Sequence, residues 1–361
     1  MTKLILPLAL MALFVLGGLG YVSNYILIAG IFLPFVFHFL FNPKKKILLP
    51  PNFLIYVLFL GISLLGLAWS QDIKSSVYFI LLFLSGASFW IYAYNDQEML
   101  LPYLKKIIVI LGLTFGILFL YYSLTGLWPP GWGVFSFTSQ YRNHNHIGDF
   151  WSIVMLIPIF AILTGSRKLI DFGLLAVGIF LVSASLSRSA YLSLFFGSAF
   201  IFWKLNLFER YRNIFLVSVL TLITIFLITS FFKPTFETRI YFIQSILGLK
   251  MFPLGVGLGN FSFVSSSLGL PLWALSSYSA YVHNIALEMM AGLGILGLVF
   301  IYWLIRVTKI VLGSSKYDIL YGAIFICLLV NFLFDRTYLT PTMIWLWFMS
   351  LGLVQSKRVH K

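Results

Sequence analysis

The chain contains a single cysteine, Cys327, inside an apolar run. One thiol closes no intrachain disulfide and builds no thiolate cluster, which excludes a disulfide framework and a cysteine-based metal site. Cys327 reads instead as a small core residue. Charge is equally scarce. Charged residues make up 9% of the 361 positions, whereas a soluble domain carries about 25%. Acidic residues number only 10. There is no low-complexity tract, no segment with the composition of a soluble domain, and no convincing internal repeat. A soluble globular enzyme is therefore excluded.

What fills the chain is hydrophobic residue, 61% of it, with a mean hydropathy of +1.00. A bilayer admits only structures that satisfy their own backbone hydrogen bonds, namely helices or a closed barrel. The apolar runs here are long and continuous rather than alternating, so they predict helices. The expectation is an all-α polytopic membrane protein forming one integral domain over 1–361. A span needs roughly 20 mostly apolar residues. Twelve segments qualify: 4–20, 25–41, 52–70, 77–94, 107–124, 149–164, 169–186, 189–205, 213–232, 283–306, 317–334 and 341–355. Met1-Thr2-Lys3 followed by an apolar stretch looks like a signal peptide. With no small-residue cleavage site and many spans following, it is read as a retained first helix.

The net charge of +14 invites a nucleic-acid reading, but its distribution points to topology. With the N-terminus inside, the inner segments carry Lys3, Lys44, Lys45, Lys46, Lys105, Lys106, Arg167, Lys168, Lys204, Arg210, Arg212, Arg306, Lys309, Lys316, Lys357, Arg358 and Lys361. These are 17 of the 24 basic residues, and the bias holds at every inner loop. Both termini are expected in the cytoplasm. Short topogenic clusters spread over one membrane face form no nucleic-acid groove, so no nucleic-acid partner is expected.

The other seven, Lys74, Arg142, Arg188, Lys233, Arg239, Lys250 and Arg336, lie on the outer side, against the positive-inside trend. Arg188 sits at Ser187-Arg188-Ser189, where two apolar segments meet almost without a linker. Either it is bonded to backbone carbonyls at the break, or it faces a ligand cavity; ionisable groups near membrane depth favour the second. The long outer loop, 233–282, is the one stretch of about fifty residues outside the alternation of spans and short linkers, and such loops are usually functional. Within it Arg239 opens an amphipathic run with Phe236, Ile240, Ile243 and Leu247 at helical spacing. A snorkelling arginine is the alternative there.

His283 stands where that loop returns to the membrane, and Asn284 beside it is placed to cap the following helix. A histidine at a helix start in an outer vestibule suits a general base or a phosphate ligand. Ahead of segment 149–164 the chain reads Gln140-Tyr141-Arg142-Asn143-His144-Asn145-His146-Ile147-Gly148-Asp149. A His-x-His spacing is weak evidence for zinc, which asks for three or four ligands. The preferred reading is a polar patch for sugar hydroxyls or phosphate, with Arg142, Asn143, His144 and Asn145 as substrate-binding candidates. No metal and no cofactor are expected. Gly255-Val256-Gly257-Leu258-Gly259 lacks the preceding strand and following acidic residue of a dinucleotide fingerprint. Its glycines point to a tight turn and a close backbone approach. His38 and His360 suggest no role, and the outer-loop aromatics read as an interfacial belt.

Taken in order, these features resemble the O-antigen ligase and O-antigen polymerase superfamily. They are twelve spans, a large outer loop before a late helix, Ser-Arg-Ser at a helix break, Arg239 before an aromatic-rich segment, the Gly255–Phe261 turn, and His283-Asn284-x-x-Leu287 leading to Gly292–Gly297. The likeness covers about 143–297 and is only compositional upstream. One departure stands out. Many members carry an acidic residue immediately before the glycines that follow the histidine; here Ala291-Gly292-Leu293 occupies that stretch and Glu288 lies a turn earlier.

The resemblance implies a glycosyltransferase of the bacterial inner membrane that works at the outer face. Its donor would be a polyprenyl-diphosphate-linked glycan reached through the lipid bilayer, and its acceptor a glycan or lipid-linked hydroxyl. Arg188 and Arg239 would hold the diphosphate and His283 would be the base, without metal. Ligase and polymerase differ in the acceptor, which nothing in the sequence encodes visibly, though the short inner loops lean to ligase. A lipid-linked glycan transporter is the competing class. It would favour repeated halves and ionisable residues at the bilayer midplane. A purely structural scaffold leaves the outer arginines and His283 unexplained.

Overall fold

The computed structural model describes residues 2–18, 24–125, 144–210, 248–265, 282–314 and 318–356, with isolated positions 212, 213, 216, 217, 220, 224 and 246. Among the described residues every regular element is a helix and none is a strand. In chain order these are α1 (Thr2–Gly18), α2 (Asn24–Phe41), α3 (Phe53–Leu65), α4 (Ile73–Asn95), α5 (Gln97–Thr125), α6 (His144–Leu163), α7 (Leu169–Ser185) and α8 (Arg188–Lys204). After them come the short α9 (Phe261–Ser265), then α10 (Ile285–Leu293), α11 (Leu298–Leu312), α12 (Ile319–Phe334) and α13 (Pro341–Gln355). Five stretches are long and apolar enough to cross a bilayer by length and composition: Asn24–Phe41, Ile73–Asn95, Gln97–Tyr121, His146–Leu163 and Ile285–Leu312. Together with the overall composition they make this a helical membrane protein.

The apolar segments expected from sequence coincide with helices, with four differences; in one, the segment 52–70 is α-helix only to Leu65 and closes with a 3-10 turn at Gly66–Trp69. The helix at 107–124 begins at Gln97, and the one at 149–164 begins at His144. At α5 the pair Lys105-Lys106, read from sequence as an inner loop, lies inside the helix and cuts the apolar run short; at α6 a polar first turn is still hydrogen-bonded helix. The segment 283–306 is broken: α10 ends at Leu293, a 3-10 turn spans Gly294–Gly297, and α11 continues to Leu312. The segment 213–232 lies largely outside the described residues.

The bundle is built around α4 and α13, which pack along their lengths. They run in the same direction. Tyr78 Oη donates to the Leu339 carbonyl near their starts (2.8 Å), and Trp90 Nε1 donates to Gln355 Oε1 near their ends (2.9 Å). Every residue of α13 is buried. Close approach is possible because Gly352 has no side chain: a Cβ there would lie 2.6 Å from the Trp90 carbonyl oxygen. Small residues at helix crossings serve the same purpose throughout membrane bundles. Around this seam Tyr56, Trp90, Trp303, Trp347 and Phe348 form a continuous cluster of rings at centroid distances of 4.8–6.0 Å. A second layer, α6, α7, α8 and α12, packs beside it.

The two ends of the bundle differ. At the ends of α2 and α4 the buried Asp96 carboxylate meets His38 Nδ1 (2.5 Å), Asn42 Nδ2 (2.6 Å) and Lys45 Nζ (3.7 Å). His38, to which the sequence suggested no role, is thus a clamp between α2 and the α4–α5 junction. The opposite end gathers the starts of α4, α6, α8 and α13 and the end of α12.

Candidate functional site

The site is assembled from helix ends. Residues α7 to α8 turn sharply: Leu186 adopts the left-handed conformation (φ 50°), and Ser187 is extended and caps α8. Its hydroxyl accepts from the Ala190 amide (3.3 Å), leaving Arg188, half-buried, as the first residue of α8. On either side of the arginine a serine hydroxyl reaches across to α6. Ser187 Oγ and Ser189 Oγ both donate to Asp149 Oδ1, at 2.9 and 2.8 Å. Asp149 is fully buried. The Asn331 side chain from α12 lies beside it, and Asp335 is close enough to interact with it electrostatically.

Asp335 terminates α12. Its Oδ1 accepts from the Arg336 amide (2.6 Å) and faces His283 Nδ1 at 3.5 Å. Burial works against its charge. The hydrogen bond from His283 and the electrostatic pull of His146 and His283 outweigh that, and hold the carboxyl well below the usual carboxylate range. Asp335 is therefore an anion at neutral pH, of the kind that orients an imidazole for proton transfer. His283 itself has φ 56°. Left-handed backbone is uncommon outside glycine, though histidine tolerates it better than most residues. Asn284 follows as the N-cap of α10, accepting from the Leu287 amide (3.0 Å) and donating to the Leu333 carbonyl (2.9 Å). The same side chain thus starts one helix and ties it to the end of another.

Behind this pair Glu288 is fully buried, its Oε2 accepting from the Val282 amide (2.9 Å) and Tyr338 Oη (3.3 Å). Its partners hold the segment that presents His283. The glycine turn lies deeper and is structural. The Val256 and Gly257 amides donate to the carbonyls of Ala291 and Gly292. Asn260 bonds Ser70, Asp72 and Ser76 at the start of α4. Gly255 (φ 78°) is required, because a Cβ there would sit 2.3 Å from the Gly292 carbonyl oxygen.

Of the residues singled out from sequence, Arg188, His283 and Asn284 fall on elements whose ends meet around Asp149, Asn331 and Asp335. His144 and Asn145 open the first turn of α6, upstream of Asp149; their side chains lie outside the described residues, as do Arg142, Asn143 and Arg239 altogether. Asp149 belongs to helix α6 and not to the preceding loop, and its burial removes it from any patch that meets sugar directly. Among the described residues no group of three or more His, Cys, Asp or Glu is arranged to hold a metal ion. Sequence reasoning passed over Asp335 and Asn331. The available signal was an acidic residue at the end of an apolar run in a chain with only 10 acidic residues.

Chemically, the arrangement offers a carboxylate-oriented imidazole, a half-buried guanidinium at a helix N-terminus, and a buried aspartate tying down the serines on either side of that arginine. A helix N-terminus with an arginine suits an anion. A scan against protein-family models finds no match to this chain, and no curated protein matches it.

Proposed function

We propose that this chain is an O-antigen ligase-like glycosyltransferase. It moves a glycan from a polyprenyl-diphosphate carrier to an acceptor hydroxyl at the outer face of a bacterial inner membrane. In this reading the chain crosses the bilayer twelve times with both termini in the cytoplasm, and 233–282 is an extracytoplasmic loop contributing Arg239. The observation that carries the reading is the His283–Asp335 pair at the same helix ends as the Ser187-Arg188-Ser189 break, the two supports meeting at Asn331, whose side chain lies beside Asp149 and whose carbonyl accepts from the Asp335 amide (2.8 Å). Base and anion-binding arginine are what transfer from a diphosphate carrier requires.

The chemistry follows from those groups. His283 takes the proton of the acceptor hydroxyl while Asp335 stabilises the imidazolium that forms. The acceptor oxygen attacks the anomeric carbon from the side opposite the carrier, with inversion. The bond from that carbon to the diphosphate oxygen breaks, and the carrier diphosphate leaves carrying the electron pair. Arg188 and Arg239 neutralise the developing charge through forked hydrogen bonds, the task a divalent cation performs in other transferases. Arg142, Asn143, His144 and Asn145 line the approach of sugar or phosphate, and Asn284 fixes the helix that carries the base.

The test is glycan transfer by purified protein in vesicles, with a polyprenyl-diphosphate glycan, no nucleotide and chelator present. Turnover in the wild type that is lost in Arg188→Ala, Arg239→Ala and His283→Ala supports the transferase. The product names the acceptor and separates ligase from polymerase. Donor that crosses between leaflets with its linkage intact overturns the transferase in favour of a transporter.

A further inference from the structure

Asp149 has no direct part in the chemistry above, yet it is fully buried and spends one carboxylate oxygen on two serines that flank Arg188. The surrounding geometry is that of a template. Gly148, the residue before it, approaches the end of α7 so closely that a Cβ would lie 2.1 Å from Ser185 Oγ. Ser185 Oγ in turn accepts from the Ser187 amide (3.2 Å), and Leu186 between them is held in left-handed backbone. A non-glycine residue keeps such a conformation only where its surroundings over-determine it. Here the second turn of α6 supplies the determining contacts: Gly148 sets the distance and Asp149 the hydrogen bonds.

We propose that Asp149 is the positioning residue for Arg188, fixing the turn at 186–189 so that the guanidinium meets a diphosphate in one orientation. This rests on the reading of Arg188 as a diphosphate ligand. The burial of Asp149 excludes the simpler role of touching sugar or phosphate itself. Asn331, whose side chain lies beside Asp149 and whose carbonyl accepts from the Asp335 amide (2.8 Å), stands between the arginine's support and the histidine's support.

The proposal is tested without relying on turnover, by protection of Arg188 from phenylglyoxal by inorganic pyrophosphate, read as modified peptide by mass spectrometry. Arg210 and Arg306 in the same digest serve as controls. The variants are Asp149→Leu, Asp149→Asn and the double substitution Ser187→Ala with Ser189→Ala, each with its thermal unfolding midpoint. In the expected result pyrophosphate protects the wild type. The leucine and double-alanine variants need about tenfold to a hundredfold more pyrophosphate, the scale of loss when a binding group is misplaced by about an ångström. Asp149→Asn, which keeps an acceptor oxygen for both serines, recovers most of the protection. If the leucine variant does not fold, the double-alanine protein decides. Undiminished protection in a folded double-alanine protein overturns the positioning role while leaving the transferase reading intact. Absence of protection in the wild type overturns the diphosphate assignment of Arg188 and this proposal with it.

Discussion

Asp335 and His283 meet at 3.5 Å from the end of one helix and the approach to another, and the carboxylate is the buried partner. The pair behaves as an orienting acid and a base only if the carboxylate stays charged, and its hydrogen bonds and neighbouring imidazoles keep it so. Asp335→Asn is expected to lower transfer by about a hundredfold or more, within the range contributed by a positioned general base. Initial rates of glycan transfer at saturating donor check this, and a rate within twofold of wild type removes Asp335 from the mechanism.

The same carboxylate gives a pH dependence of stability. Its folded pKa is held well below the roughly 3.9 of an unfolded aspartate, so the stabilisation is fully present above that unfolded value and is lost as pH falls toward the folded one. Thermal midpoints of detergent-purified protein are expected to drop as pH falls from about 4 to about 2, and to drop less in Asp335→Asn. Equal drops would mean that Asp335 contributes nothing to acid sensitivity.

Arg188→Lys keeps the charge but loses the forked geometry that matches a diphosphate. Transfer is expected to fall at least about tenfold, the loss of roughly one charge-assisted hydrogen bond. Full activity in this variant would show that the arginine acts only as a point charge.

At the opposite end, His38→Ala leaves the Asp96 carboxylate buried with fewer partners. Breaking a buried pair from one side costs about 3–5 kcal/mol, so the unfolding midpoint should fall sharply. The protein that remains folded should transfer glycan at the wild-type rate, because this clamp lies far from the site. A normal midpoint would show that Asn42 and Lys45 suffice for Asp96.

Orientation can be read with single cysteines, since Cys327 is buried. Lys74→Cys, exposed at the start of α4, should react with an impermeant maleimide in intact cells. Lys44→Cys, exposed beyond α2, should react only after permeabilisation. The reverse pattern would invert the proposed topology and place the site in the cytoplasm.

Much of the architecture was legible in the chain because it depends on composition and on short-range signals. Apolar runs give helices wherever water is absent. Asn284 announces a helix start by its residue type, and it caps α10. The glycines from Gly255 to Gly259 announced a close approach, which the carbonyls of Ala291 and Gly292 provide. Helix starts were less legible at Gln97, where Lys105-Lys106 interrupts the apolar run inside the helix, and at His144, where a polar first turn does not register as hydropathy.

What the sequence by itself determined is the solvent: with 9% charged residues and 61% hydrophobic ones, the chain is committed to helices in a bilayer. It also marked Arg188 and His283 as costly groups in need of a reason. Only the tertiary structure decided what supports them. That Asp149 reaches Ser187 and Ser189, and that Asp335 reaches His283, depends on the depth and rotation of α6, α8, α10 and α12 relative to one another. Those are fixed by packing, to within the few tenths of an ångström that contacts such as Gly148 on Ser185 allow. Side chains on different helices share no local pattern, so no spacing along the chain could have paired them.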